Sequence, residues 1–82
     1  MKPPFIVVVV IAGKRLYAMQ ISEGFILSAQ FLEAATFMHM QYAIDCLQRV
    51  RAAVAESTPD FNSFIVSWET ELFTIKGTAH TN

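Results

Sequence analysis

A chain of 82 residues with a net charge of −1, six basic against seven acidic residues and one cysteine argues against several functional classes at once. A nucleic-acid binder usually carries a basic stripe, and none is visible. The charge is too slight to imitate DNA, and a lone thiol closes no internal disulfide of a secreted scaffold.

Hydrophobic residues make up 54% of the chain, against roughly 45–50% in average usage. A domain of this size buries only about 60–65% of the surface its unfolded chain exposes. Disorder is therefore excluded, and part of the apolar surplus is expected to meet a partner or a second copy. The expectation is one domain over residues 1–82 with a frayed polar tail from about Gly77.

Met1-Lys2-Pro3-Pro4 followed by an apolar run has the outline of a signal peptide. However, Lys14 and Arg15 follow at once, and the run is far short of the ~20 residues that cross a bilayer. It reads instead as a central strand of a cytoplasmic protein.

Phe5–Ile11 is almost entirely β-branched and apolar on both faces, as a strand buried on two sides requires. Gly13 marks a turn, and Arg15–Ile21 returns as the second strand of a hairpin. Ser22-Glu23-Gly24 turns again into a short third strand at Phe25-Ile26-Leu27. Residues 28–37 are open between strand and helix, because Ala29, Leu32, Glu33, Ala34 and Ala35 favour helix while apolar residues cover every face. From His39 to Glu56 a helix is expected, with Ala43, Cys46, Leu47, Val50 and Val54 on one stripe and Leu47 at its centre. Asp45 and Arg49 stand at i,i+4 on the wet side, and Pro59 ends the helix. Phe61–Lys76 reads as a last strand: Phe64, Val66, Trp68 and Leu72 alternate with Ile65, Ser67, Glu69 and Glu71, although Phe73 and Ile75 break the alternation. The expected architecture is α+β: a small antiparallel sheet of three to four strands with one principal helix on one face.

Nothing in the sequence assembles a catalytic or metal-binding constellation, so a non-enzyme without metal or cofactor is expected. His39 and His80 have no second ligand at metal spacing. Cys46 falls on the core stripe and reads as a small apolar residue. Glu69 and Glu71 share a predicted strand face but lack a pocket to separate their pKa values. Most of the seven Phe, two Tyr and one Trp are core material; Trp68 and Tyr42 are the two that suit interface anchors.

The segment Ala34-x-x-Phe37 stepping into a helix that carries Ala43 and Leu47 comes after a hairpin over Phe5–Ile21 and before a last strand from near Phe64. This pattern resembles a group of short phage and prophage proteins of unknown function. His39 departs from it, standing where that group has a capping Ser, Thr or Asp, and so does Phe25, near which it has Trp. The resemblance implies an origin on a phage or mobile element. It also implies a role as an anti-CRISPR-like inhibitor that binds and blocks a host defence complex. The alternative is a small nucleic-acid-binding regulator that uses an aromatic sheet face, with Lys14, Arg15, Arg49 and Arg51 as phosphate contacts.

A single helix can cover only one sheet face. The other is expected to expose Val8 and Val10, or Val7 and Val9. Tyr17, Met19 and Trp68, rimmed by Arg15 and Glu69, would then form the contact surface for a host protein complex or for the second copy of a homodimer, with no part for a membrane.

Overall fold

The structure is a computed structural model that describes residues 1–80, with side chains described through Gly77. Four strands, β1 (Phe5–Ile11), β2 (Lys14–Ile21), β3 (Gly24–Ser28) and β4 (Asn62–Ser67), form one antiparallel sheet in the order β3-β2-β1-β4. Helix α1 spans Met40–Ser57 and helix α2 spans Trp68–His80. The α+β sheet with one main helix is as expected from the sequence.

β1 lies between β2 and β4, which is why a two-faced apolar strand suits it. Ile6, Val7, Val8 and Val9 are all fully buried. The β1–β2 hairpin turns on Ala12 and Gly13, both at positive φ, +52° and +79°. A two-residue loop of this kind has the twist that joins right-twisted strands. Ala12 holds this left-handed conformation without the local hydrogen bond that Asn or Asp can make, at a cost of about 1–2 kcal/mol. Ala12→Asn should therefore raise the unfolding free energy by about 1 kcal/mol in urea denaturation; an unchanged midpoint would mean that the turn carries no such strain.

Residues 28–37 are neither a continued strand nor the start of helix α1. After β3 the chain makes one 3-10 turn at Phe31–Glu33 and then runs extended. The Ala35 N–H donates to the Ala18 carbonyl, and Phe5 and Phe37 exchange both of their backbone bonds. The segment thus enters the gap where β1 and β2 diverge and supplies the hydrogen bonds they stop giving each other.

Helix α1 begins after His39, whose side chain makes no cap bond; its carbonyl accepts from Tyr42 and Ala43 instead. Ala43, Cys46, Val50 and Val54 are buried on the sheet side with Val7, Val9 and Ala18. Leu47, expected at the centre of this stripe, is only half-buried at its margin. A wheel cannot tell which side of a stripe the sheet crosses.

The largest departure is at the C-terminus. The last strand stops at Ser67 instead of running to Lys76, and Trp68 opens α2. Trp68, Glu71 and Ile75 recur at i, i+3, i+7, the helical period, and Glu69 and Glu71 favour a helix N-terminus. Phe64 and Val66 make Trp68 look like the next member of an alternating series, which conceals the change of period. The helical backbone reaches His80, into the stretch expected to be a frayed tail; residues 81 and 82 of that stretch lie outside the described residues.

Helix α2 and the 3-10 turn cover the sheet face opposite α1. Ile6, Val8 and Tyr17 are buried there, with Val10, Phe31, Ala34, Phe64, Val66, Trp68 and Ile75 packed around them. The face expected to be open is therefore closed, and the structure has three layers.

Candidate functional site

Arg15, Tyr17 and Met19 alternate along β2 and so point to the covered face. Tyr17 is 3% exposed, and its hydroxyl donates to Glu71 Oε2 at 2.7 Å. Arg15 reaches the same carboxylate in a bidentate fork, Nε to Oε2 at 2.7 Å and Nη2 to Oε1 at 2.6 Å. Its guanidinium also lies 5.5 Å from the centre of the Phe64 ring. Trp68 is half-buried, its ring centre 5.2 Å from that of Phe31. Met19 is half-buried at the margin.

The five expected contact residues are thus distributed differently from the expectation. Tyr17, Arg15 and Trp68 belong largely to the second core, whereas Glu69 is exposed on the first turn of α2. Glu69 and Glu71 do not share a face: two residues apart on a helix they diverge, one outward and one into the protein.

Glu71 is 1% exposed, and its role was not legible from the strand assignment. The signal that could have located it is Arg15 beside Tyr17 on an apolar strand face, because a guanidinium at such a place requires an acid. Burial pushes the Glu71 carboxyl up, but the Arg15 and Tyr17 hydrogen bonds together outweigh burial and hold it below its ordinary value. Burial first, and then the Glu71 carboxylate, push the Tyr17 hydroxyl up to about 12. A group raised in the folded state contributes stability that is complete below its unfolded value, about 10. That contribution is lost as pH rises through the folded value. Difference spectroscopy should therefore find the Tyr17 hydroxyl ionising near pH 12, with unfolding promoted over the same alkaline range; ionisation of Tyr17 at its ordinary value of about 10 would contradict the network.

The opposite margin of the sheet is open. A cleft of about 480 Å³ lies between the β2–β3 turn and the N-terminal half of α1, walled by Ile21, Phe25, Phe37 and Tyr42, with Asp45 and Arg49 at its rim. Tyr42 is 63% and Ile21 38% exposed. The His39 ring packs edge-on against Tyr42 at 5.9 Å, and Arg49 pairs with Asp45 at 3.0 Å as its spacing predicts. Farther along α1 a second, more apolar groove of about 260 Å³ runs between Phe25, Ile26 and Leu27 of β3 and Val50, Ala53 and Val54 of α1.

No family model, curated protein or solved structure matches the chain.

Cys46 is fully buried beneath α1. Burial first, and then Asp45, push its thiol up to about 11, so it remains protonated and unreactive at neutral pH. Among the described residues no group of three or more His, Cys, Asp and Glu could hold a metal ion, and no helix is long and apolar enough to cross a membrane.

Proposed function

We propose that this chain is a non-enzymatic protein-binding module. Its contact surface is the cleft between the β2–β3 turn and α1 rather than the sheet face carrying Tyr17 and Trp68. The observation that supports this reading is the pairing of an exposed aromatic, Tyr42, with the exposed Ile21 across a concave surface between the β2–β3 turn and α1. Tyrosine ordered beside aliphatic surface, with a charged rim, is the composition of an interface anchor.

The proposed partner is a bacterial host complex that the module inhibits in the manner of anti-CRISPR proteins in the host cytoplasm. That part rests on the resemblance of the Ala34–Phe37 step and Ala43 to phage proteins. The nucleic-acid alternative gains no support, since three of its four suggested phosphate contacts have partners within the fold: Arg15 pairs with Glu71, Arg49 with Asp45, and Arg51 with Ser63.

The test is capture of a bacterial defence complex by the immobilised chain, with affinity then measured on the purified complex. Tyr42→Asp should retain the fold and weaken that affinity at least about tenfold, as loss of an anchor does. Equal affinity of the variant would mean that the cleft is not the contact surface. Retention of nucleic acid that weakens as salt rises would favour the alternative.

A further inference from the structure

The two edges of the sheet are treated differently by the sequence. On β4, the outward backbone groups of Ser63 are occupied: its N–H donates to Asn62 Oδ1 at 3.0 Å, and its carbonyl accepts from Arg51 Nη2 at 3.3 Å. Arg51 also donates to the Ser63 hydroxyl at 2.7 Å. A charged side chain clamped over an edge is a standard obstacle to strand pairing.

β3 has no such obstacle. The Ala18 carbonyl is used by Ala35, on the side of β2 away from β3. Its opposite residue, Leu27, is therefore in a non-hydrogen-bonded pair. By alternation, the N–H and C=O of Leu27 and of Phe25 point out of the sheet edge, whereas those of Ile26 point to β2. Among the described residues no other backbone group takes them. β3 itself, Gly24-Phe25-Ile26-Leu27-Ser28, carries no charge and no proline.

We propose that the β3 edge pairs with the β3 edge of a second copy, antiparallel across a two-fold axis through Ile26. This edge adjoins the cleft at Tyr42 and shares Phe25 with it, but the pairing does not depend on the partner assigned to that cleft. The occupant is a second copy because the segment is self-complementary about Ile26. Phe25 falls opposite Leu27 of the other copy and Gly24 opposite Ser28, so large residues meet large and small meet small. This register uses every residue of the strand. Phe25 and Leu27 exchange a reciprocal pair of backbone hydrogen bonds on each side of the axis, while Ile26 faces its own copy in the close, non-hydrogen-bonded position.

The charges agree with this register. Glu23 falls opposite Ala29 and stands about 20 Å from the other Glu23 at ~3.3 Å per residue, beyond the screening length at physiological salt. An axis perpendicular to the sheet keeps both α1 helices on one side. The apolar grooves of Phe25, Leu27, Val50 and Val54 then join into one floor, and closed two-fold pairing of this kind is the commonest form of self-association. Ile26 is 45% exposed in the isolated chain, on the other side of the sheet, and meets its copy there.

The experiment is sedimentation equilibrium on the full chain and on Ile26→Lys and Ile26→Glu. Both substitutions suit an exposed edge position, and circular dichroism checks that the variants remain folded. The wild type should show a species of twice 9.2 kDa at high concentration. Each variant alone should dissociate at least about tenfold more readily, because like charges meet on the axis. An equimolar mixture of the two should recover the dimer, because Lys then faces Glu. A wild type that stays at 9.2 kDa, variants that dimerise as well as the wild type, or a mixture that fails to recover would each overturn the proposal.

Discussion

Glu71→Ala should destabilise the protein by about 3–5 kcal/mol, the range for removing one partner of a buried ion pair. A domain of 82 residues has a total stability of only about 4–12 kcal/mol. The effect is large because three groups depend on one carboxylate: the Arg15 fork, the Tyr17 hydroxyl and the attachment of α2 to β2. Without it a guanidinium only 35% exposed loses its counter-charge, and a buried hydroxyl loses its acceptor. Glu71→Gln, which keeps the shape and one acceptor oxygen, should lose less.

The sign of the pH dependence follows from the lowered Glu71 pKa. A carboxyl lowered by folding adds stability at every pH above its unfolded value, about 4.3, and loses it as pH falls through the folded value. Acidification below about pH 4 should therefore remove stability from the wild type and less from Glu71→Ala. Urea unfolding across that range checks both, and equal acid sensitivity of the two proteins would assign the loss to other carboxylates.

The second large effect lies in the sheet. Ile6→Ala should cost about 2–5 kcal/mol, the range for a large aliphatic side chain deleted from a packed core. Ile6 is completely buried on the central strand, opposite Val66 of β4 and beneath the second layer of cover. Leu47→Ala should cost less than Ile6→Ala, although the helical wheel places Leu47 at the centre of its stripe, because its side chain is only half-buried. Chemical denaturation of both variants orders them; a Leu47→Ala loss equal to or above that of Ile6→Ala would contradict the placement of α1.

Much of the fold was legible because β1 states its own environment. Seven consecutive apolar, mostly β-branched residues need cover on both faces, which required an inner strand and predicted its neighbours. α1 was legible from its stripe and from Pro59. α2 was not, because Phe64, Val66 and Trp68 continue a two-residue period across the junction where the backbone changes to helix. That one hidden change of period has wide consequences. With α2 read as strand, the face of Val8 and Tyr17 had no cover, and it became the expected contact surface. Glu71 became a solvated acid beside Glu69 instead of the buried partner of Arg15. The cleft at Tyr42 was half-legible: Tyr42 stood out as an anchor, but Ile21 and Phe37 reach it only through tertiary folding. The contrast between the β3 and β4 edges depends on register, which the sequence pattern does not fix by itself.

Helix α2 closes the second sheet face, and the β3 edge stays unpaired in the isolated chain. Residue-resolved amide hydrogen exchange in dilute solution tests both parts together. A free helix of 13 residues is marginal in water, so protection within α2 requires docking. Amides from Leu72 to Ile75 should exchange nearly as slowly as those of β1, and Phe25 and Leu27 should exchange faster than Ile26 between them, whose N–H points to β2. Rapid exchange throughout α2 beside a protected β1 would contradict this closure, because the face of Val8 and Tyr17 would then be open.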